Sequence, residues 1–153
     1  MNENDDERYM RRTLELAADA EANGDVPIGA VLVSGDLTIE TFNEKELRPD
    51  ATAHAEMLAL RVAAERLGVW RLADATLYVS KEPCIMCAGA ILAARVKRVV
   101  YGAADPKGGA DGGAFDLLRS PLTNHRVEVS AGVLEAEAAD QLRTFFRARR
   151  GQK

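Results

Sequence analysis

Apolar positions in the first part of the chain recur at helical spacing and then in short runs. Residues 6 to 23 carry apolar side chains three and four positions apart, and Gly24 is placed to end the helix that this spacing predicts. The nearly continuous apolar run at 27 to 33 predicts a buried strand, and the turn cluster at 34 to 36 leads to a second strand at 37 to 42. We expect these two strands to form a hairpin.

The pattern then alternates between helices and strands. A charged loop precedes a helix predicted at about 53 to 67, with Thr52 as its N-terminal cap and Gly68 at its end. The remaining predicted elements are a strand at 75 to 80, a helix at 84 to 94, a strand at 98 to 102, a helical turn at 115 to 118, a strand at 126 to 130 and a helix at 135 to 150. Residues 76 to 102 thus form a strand–helix–strand unit, whose strands should be parallel with a right-handed crossover.

These elements predict an α/β fold of three layers, α/β/α, in which a mixed sheet of about five strands lies between helices. At 153 residues the chain is long enough for one core, so we expect a single domain over residues 1 to 153. The glycine-rich stretch from 103 to 113 has no phosphate-binding spacing and is interpreted as a mobile rim.

Composition and charge limit the class of protein. No apolar run reaches the roughly 18–20 residues of a membrane span, and the N-terminus is too charged for a secretory signal, so we expect a cytoplasmic protein without a membrane partner. The net charge is −4, yet residues 141 to 153 hold five cations and no acid. This basic segment indicates either an anionic partner or a solvated helix end whose cations favour the helix dipole.

Two short motifs, Ala53-His54-Ala55-Glu56 and Glu82-Pro83-Cys84-Ile85-Met86-Cys87, hold both cysteines and one of the two histidines. One imidazole and two thiolates are a suitable set for a catalytic zinc, which commonly takes three protein ligands and keeps its fourth position for water. Both motifs are predicted to lie in the first turn of a helix, a position that lowers a thiol pKa. Glu56 is close enough to His54 in sequence to act on the water without binding the metal.

The same residues are compatible with other kinds of site. The two cysteines could be a redox pair, although His54 and Glu56 would then have no shared purpose. A closed structural zinc would take His125 as a fourth ligand, at an unusual spacing. Glu56 alone could be a carboxylate that favours a helix start. A non-catalytic zinc or RNA-binding module is the corresponding alternative for the whole protein.

The pattern H-x-E followed by P-C-x-x-C resembles the motif of the zinc-dependent nucleobase deaminases, the cytidine and deoxycytidylate deaminase superfamily. Longer segments, in order and spacing, resemble the bacterial tRNA-specific adenosine deaminases; they are 50–56, 82–90, 98–103, 124–128 and 145–147. The resemblance implies a cytidine deaminase-like fold, one zinc ion per subunit, a homodimer, and hydrolytic deamination of the wobble adenosine of a tRNA anticodon, usually an arginine tRNA, to inosine. A small-molecule guanine or cytosine deaminase is the related alternative.

The resemblance also implies roles for particular residues. His54, Cys84 and Cys87 would bind zinc, and Glu56 would shuttle protons. The implied substrate contacts are Asn43 with the base or its ribose, Ile28 as pocket lining, the Ala55 backbone facing the adenine edge, Asp105 and Lys107 with neighbouring nucleotides, and Phe146 and Arg147 with RNA. Phe145 and Phe146 are expected to divide between packing and RNA contact. Lys81 and the charged residues 44 to 46 depart from the family pattern and leave the preferred RNA and flanking bases open.

Overall fold

The computed structural model describes residues 3 to 151, with side chains from Asp5 onward, and within that range the chain forms four helices around one five-stranded sheet. In chain order the elements are α1 Glu3–Ala22, β1 Gly29–Ser34, β2 Leu37–Phe42, α2 Ala55–Leu67, β3 Thr76–Lys81, α3 Ile85–Ala93, β4 Arg98–Ala103, β5 Glu128–Ala131 and α4 Glu135–Arg150. Each was predicted from the sequence to within a few residues. Among them, none is both long and apolar enough to cross a membrane as a helix.

The sheet has the order β2-β1-β3-β4-β5 and is mixed. The hairpin of β1 and β2 and the pairing of β1 with β3 are antiparallel, whereas β3, β4 and β5 run parallel. The predicted hairpin, the parallel strand–helix–strand unit and the three-layer α/β class are therefore confirmed.

Alternating side chains of the central strands fill two cores, one on each face of the sheet. One face carries Leu32, Leu77 and Val99, which pack with the buried alanines of α2 and α3. The other face carries Val31 and Tyr78, which pack with residues of α1. The two helices whose N-termini carry the cysteine and histidine motifs thus lie on the same face of the sheet.

Two glycines let helices approach the other face closely. A Cβ on Gly29 would lie 2.1 Å from the backbone oxygen of Thr13 in α1. A Cβ on Gly102 would lie 2.8 Å from the backbone oxygen of Ser80 and 3.0 Å from Cβ of Ala138 in α4. Any larger residue at Gly102 would displace α4, and with it the basic end of that helix.

A partly buried ion pair joins α1 to the sheet on this face. The two guanidinium nitrogens of Arg98 donate to the Asp6 carboxylate at 2.8 and 2.7 Å, and the Tyr78 hydroxyl donates to the same carboxylate at 3.0 Å. The Arg98 hydrogen bonds lower the pKa of Asp6, which therefore stays ionised in the folded protein.

Helices α2 and α3 begin one or two residues later than predicted. His54 and Cys84 are N-cap residues with extended backbone, so they precede the helices and do not lie in their first turns. Thr52 was predicted as the cap of α2, but it is exposed and lies in the turn before His54. The first helical N–H group, that of Ala55, is instead satisfied by the Asn43 side chain, a contact between distant residues that helix spacing does not reveal.

Two further predictions were wrong in detail. Residues 115 to 118 form no helical turn, because Asp116 pairs with Asp111 in an isolated β-bridge. Strand β5 begins at Glu128 and not at 126, because its pairing with β4 starts at Arg98 opposite Glu128; the Arg126 guanidinium binds the backbone oxygens of Pro121 and Thr123 in the preceding loop. Lys153, part of the predicted basic segment, lies outside the described residues.

Candidate metal centre and active site

Three ligand atoms meet where α2 and α3 begin. The Nδ1 atom of His54 lies 3.6 Å from Sγ of Cys84 and 3.5 Å from Sγ of Cys87, and all three atoms lie within 4.8 Å of one another. A tetrahedral zinc with Zn–S of about 2.3 Å and Zn–N of about 2.0–2.1 Å would separate sulfur from nitrogen by about 3.5 Å. The distances between the side chains therefore fit a zinc ion.

His125 is not part of this cluster. Within residues 5 to 151, the group of side chains that can hold a metal consists of His54, Cys84 and Cys87. The Nε2 atom of His125 instead lies 2.6 Å from the backbone oxygen of Val96. The geometry favours three protein ligands over a closed site with four.

The two thiols influence each other's protonation. A hydrogen bond with the Cys87 side chain lowers the pKa of Cys84, and the same contact raises the pKa of Cys87. The backbone N–H of Cys87, in the first turn of α3, also lowers the pKa of Cys84, so the helix start contributes in the predicted direction beside the larger effect of the neighbouring side chain. The thiolate is the form of cysteine that binds a metal, and a low pKa makes it available at neutral pH.

Glu56 lies beside the ligands, in the first turn of α2, and is only 4% exposed. Within the described part of the chain its Oε1 atom is buried without a hydrogen-bond partner. Burial raises the pKa of this carboxyl group, because removal from water disfavours its charged form. A buried acceptor left open next to three metal ligands is placed to receive a proton from a molecule bound there.

Three of the predicted substrate residues are joined by hydrogen bonds next to His54. Asn43 is 2% exposed; its backbone N–H donates to Ile28 at 3.1 Å, and its Oδ1 accepts from the Ala55 N–H at 2.8 Å. The Ala55 carbonyl accepts from the Thr41 hydroxyl at 2.7 Å. Asn43 therefore fixes the start of α2, directly after the metal ligand His54.

The predicted nucleotide contacts Asp105 and Lys107 lie in the glycine-rich loop after β4. The Asp105 carboxylate binds the ammonium group of Lys81 at 3.0 Å and accepts the backbone N–H of Lys107 at 3.0 Å. Lys81 is thus the ion-pair partner of a predicted substrate residue.

A cleft of about 900 Å³ lies between this loop and α4. Phe146, which is 38% exposed, and Arg147 line it together with Asp105 and Lys107. The cationic side chains in its lining are Lys81, Lys107, Arg143, Arg147, Arg149 and Arg150, whereas Asp105 is the acid among the lining residues. The cleft is therefore strongly basic although the chain as a whole is acidic.

The loop joins the cleft to the metal-bearing turn. Gly109 forms an isolated β-bridge with Cys84, and the backbone N–H of Ala110 donates to Pro83 at 2.8 Å. The structure thus links Asn43 and Ile28 by hydrogen bonds to Ala55, the neighbour of His54, and places Asp105, Lys107, Phe146 and Arg147 in the lining of the cleft.

Sequence reasoning assigned no role to Glu82, although its carboxylate is buried at the edge of the site. The sequence pattern that indicates such a role is an acidic residue between a mostly apolar strand and Pro83, a position where we expect few solvent-exposed side chains.

The fold and the side chains at this site define a zinc-dependent deaminase. The family model of the MafB19-like deaminases matches residues 4 to 150. The tRNA-specific adenosine deaminase of Bacillus subtilis is 49% identical over 149 residues, covering 97% of this chain and 92% of that protein. The chain belongs to the family of the tRNA-specific adenosine deaminases, in which deamination is hydrolytic and zinc-dependent.

Solved structures agree with this membership. A tRNA:A34 deaminase studied for A-to-I editing at the wobble position of transfer RNA is 43% identical, with a TM-score of 0.82, over 88% of this chain and 99% of that chain. The guanine deaminase of Nitrosomonas europaea is 28% identical, with a TM-score of 0.75, over 91% of this chain and 83% of that chain. The cytidine deaminase-like fold is therefore confirmed.

Proposed function

We propose that the chain forms a single deaminase domain that converts the wobble adenosine, A34, of a tRNA anticodon to inosine and ammonia, with an arginine tRNA as a target. The observation that carries the proposal is the placement of a buried, unpartnered Glu56 oxygen beside His54, Cys84 and Cys87. The 49% identity between this chain and the tRNA-specific adenosine deaminase of Bacillus subtilis supports the choice of substrate.

The reaction divides between the metal and Glu56. His54, Cys84 and Cys87 would hold one zinc ion per subunit, which when bound would supply a nucleophilic water near neutral pH, because coordination lowers the pKa of water to about 7. Glu56 accepts a proton from the water and donates one to ring N1 as the new bond forms at C6. Glu56 then takes the remaining proton from the new C6–OH group and delivers it to the amino group; the C6–N6 bond breaks, the C6 carbonyl forms and ammonia leaves, so adenosine and water become inosine and ammonia.

The base pocket is formed by Ile28, Asn43 and Ala55. Ile28 supplies an apolar wall, and Asn43 is held by its own backbone so that its amide faces the start of α2. An extruded base can stack on such a wall and bind polar groups through its edge. This pocket requires the target base to leave its neighbours, which favours a loop of RNA over a duplex.

The basic cleft supplies the rest of the RNA site. Arg147 and Lys107 would neutralise phosphates, and Phe146 offers an exposed ring on which an unpaired base can stack. Helix α4 therefore serves RNA binding through its exposed end, while its inner face packs on the sheet through Ala138.

The two adjacent phenylalanines of α4 give a matched pair of variants. Phe146→Ala is expected to weaken binding of an anticodon stem-loop by about 1–3 kcal/mol, the usual contribution of one stacked base, with a loss of thermal stability limited to its edge contact with the Phe145 ring at 5.3 Å. Phe145→Ala, which removes a partly buried ring, is expected to lower the melting temperature first. Fluorescence anisotropy and thermal melts of both variants measure this; equal RNA affinities for Phe146→Ala and the parent protein would remove Phe146 from the RNA site.

A homodimer is the proposed assembly, acting in the cytoplasm. Large apolar side chains near the metal-bearing turn, Ile85 and Phe115, are exposed in the single chain, and a second subunit would cover such a surface. Light scattering at working concentration tests this assembly, and a monomer mass would contradict it.

A guanine or cytosine deaminase is the second candidate, favoured by the similarity to the Nitrosomonas europaea guanine deaminase. Ammonia release from an anticodon stem-loop, guanine and cytosine, measured under one set of conditions, separates the two. Turnover of the stem-loop supports the tRNA deaminase, and turnover of a free base alone supports its relative.

A further inference from the structure

The loop after β4 folds around a single buried carboxylate. Glu82 is 3% exposed, and its two carboxylate oxygens accept three backbone N–H groups of this loop. The donors are Asp105, to Oε1 at 2.9 Å, and Asp111 and Gly113, both to Oε2, at 2.8 and 3.0 Å. Hydrogen bonds to an ionised acceptor are about twice as strong as neutral ones, so this contact is strong for its size.

Two glycines allow the loop to close on the carboxylate. A Cβ on Gly109 would lie 2.3 and 2.6 Å from the two Glu82 oxygens, and a Cβ on Gly113 would lie 2.0 Å from the backbone oxygen of Asp105. Neither position has room for a side chain. Residues 104 to 113 include four glycines, so an untethered loop would lose much conformational entropy on ordering.

The neighbouring residue of β3 holds the same loop by its side chain. Lys81 binds the Asp105 carboxylate at 3.0 Å, while Glu82 accepts the Asp105 N–H at 2.9 Å. Two consecutive residues thus fix both the backbone and the carboxylate of Asp105. Lys81 also neutralises an acid that would otherwise repel phosphate in the basic cleft.

Glu82 is two positions from Cys84, and the loop it holds is bridged to that cysteine through Gly109. The loop carries Asp105 and Lys107, which line the basic cleft. The metal-bearing turn and the cleft are therefore joined by the backbone contacts of Gly109 and Ala110 and by the Glu82 side chain.

We propose that Glu82, together with Lys81, is a positioning residue that fixes the loop of residues 104 to 113 against the metal-bearing turn, so that RNA bound in the cleft delivers its base to Glu56. The proposal rests on the tRNA-deaminase function proposed above. It assigns to Lys81 and Glu82 an effect on RNA binding that does not pass through the metal.

Hydrogen exchange and steady-state kinetics on the zinc-loaded protein test this proposal together. In Glu82→Gln, the amide NH₂ faces backbone donors, so the amides of Asp105, Asp111 and Gly113 should exchange at least about tenfold faster. The KM for an anticodon stem-loop should rise by about tenfold or more, with zinc content unchanged and a smaller change in kcat. Gly109→Ala, which displaces the carboxylate from the other side, should reproduce these effects. Glu65→Gln, an exposed glutamate on α2, controls for the lost charge.

Lys81 provides the conservative comparison. Lys81→Met should raise KM for the stem-loop by about three- to tenfold, and Lys81→Arg should restore most of that loss, because it keeps the cation. If the Lys81 variants lost activity only through a general loss of structure, the KM values of Lys81→Met and Lys81→Arg would not differ in this way.

The outcomes separate this proposal from the proposed function. Unchanged exchange at the three amides in Glu82→Gln, or an unchanged stem-loop KM, would overturn the positioning role even if the parent protein makes inosine. If the parent protein makes no inosine from RNA, the proposed function fails and the RNA role of Glu82 fails with it, while faster amide exchange would still identify Glu82 as the residue that holds the loop.

Discussion

Glu56→Gln is expected to abolish turnover while leaving zinc bound. Glutamine has nearly the same size and shape, so the packing of α2 and the ligands should persist, but it cannot accept the proton of water and return it to the base. Loss of one general acid–base group lowers rates by about 10²–10⁴-fold, and Glu56 is proposed to act in both directions. We therefore expect kcat on an anticodon stem-loop to fall by at least about 100-fold.

Single-turnover inosine formation and zinc content, measured on the same sample, check this expectation. Glu65→Gln, an exposed position on the same helix, should keep both. A Glu56→Gln protein that still makes inosine at the parent rate would show that Glu56 is a structural carboxylate. If the parent protein shows no turnover, and the parent and Glu56→Gln proteins bind RNA equally well, the protein would instead be a binding module.

His54→Ala should lose zinc, whereas His125→Ala should keep it. These are the two histidines of the chain, and only His54 lies within 3.6 Å of both thiols. Removal of His54 leaves two ligands, so zinc affinity should fall by more than about 100-fold and activity with it. The fold should persist, because a domain of this size has a core that needs no metal to form.

Metal analysis after dialysis, with circular dichroism as the measure of folding, distinguishes the two variants. His125→Ala should keep one zinc per chain and lose at most some stability through its contact with Val96. Loss of zinc in His125→Ala would revive the four-ligand structural site. Retention of zinc in His54→Ala would show that the ion lies elsewhere.

The regular elements could be predicted because each depends on local spacing. The apolar run at 27–33 and the cysteine and histidine motifs carry their signal within a few residues of sequence. The three metal ligands come together because two such motifs precede helices on one face of the sheet.

The contacts that complete the site could not be predicted, because they join residues far apart in the chain. Asn43 caps the helix that Thr52 was expected to cap, across twelve residues. Glu82 reaches Asp111 and Gly113, which are 29 and 31 positions away. Spacing alone therefore described the 103–113 loop as a mobile rim, whereas the structure ties it to a buried carboxylate.

Lys81 shows the same limit of prediction from spacing. Its position suggested only an altered rim, and the structure shows which rim residue it alters, the Asp105 carboxylate. The motifs at His54 and Cys84 carry the metal ligands, and the contacts of Asn43, Lys81 and Glu82 hold the segments around them.

Inosine mapping in matched anticodon stem-loops tests the proposed function most directly. The zinc-loaded protein would be incubated with one stem-loop that carries adenosine at the wobble position and with another in which that adenosine is moved by one nucleotide. Inosine at the wobble position of the first RNA alone is the expected result. Absence of inosine from both RNAs, with efficient release of ammonia from free guanine or cytosine, would contradict a tRNA deaminase and identify a small-molecule enzyme.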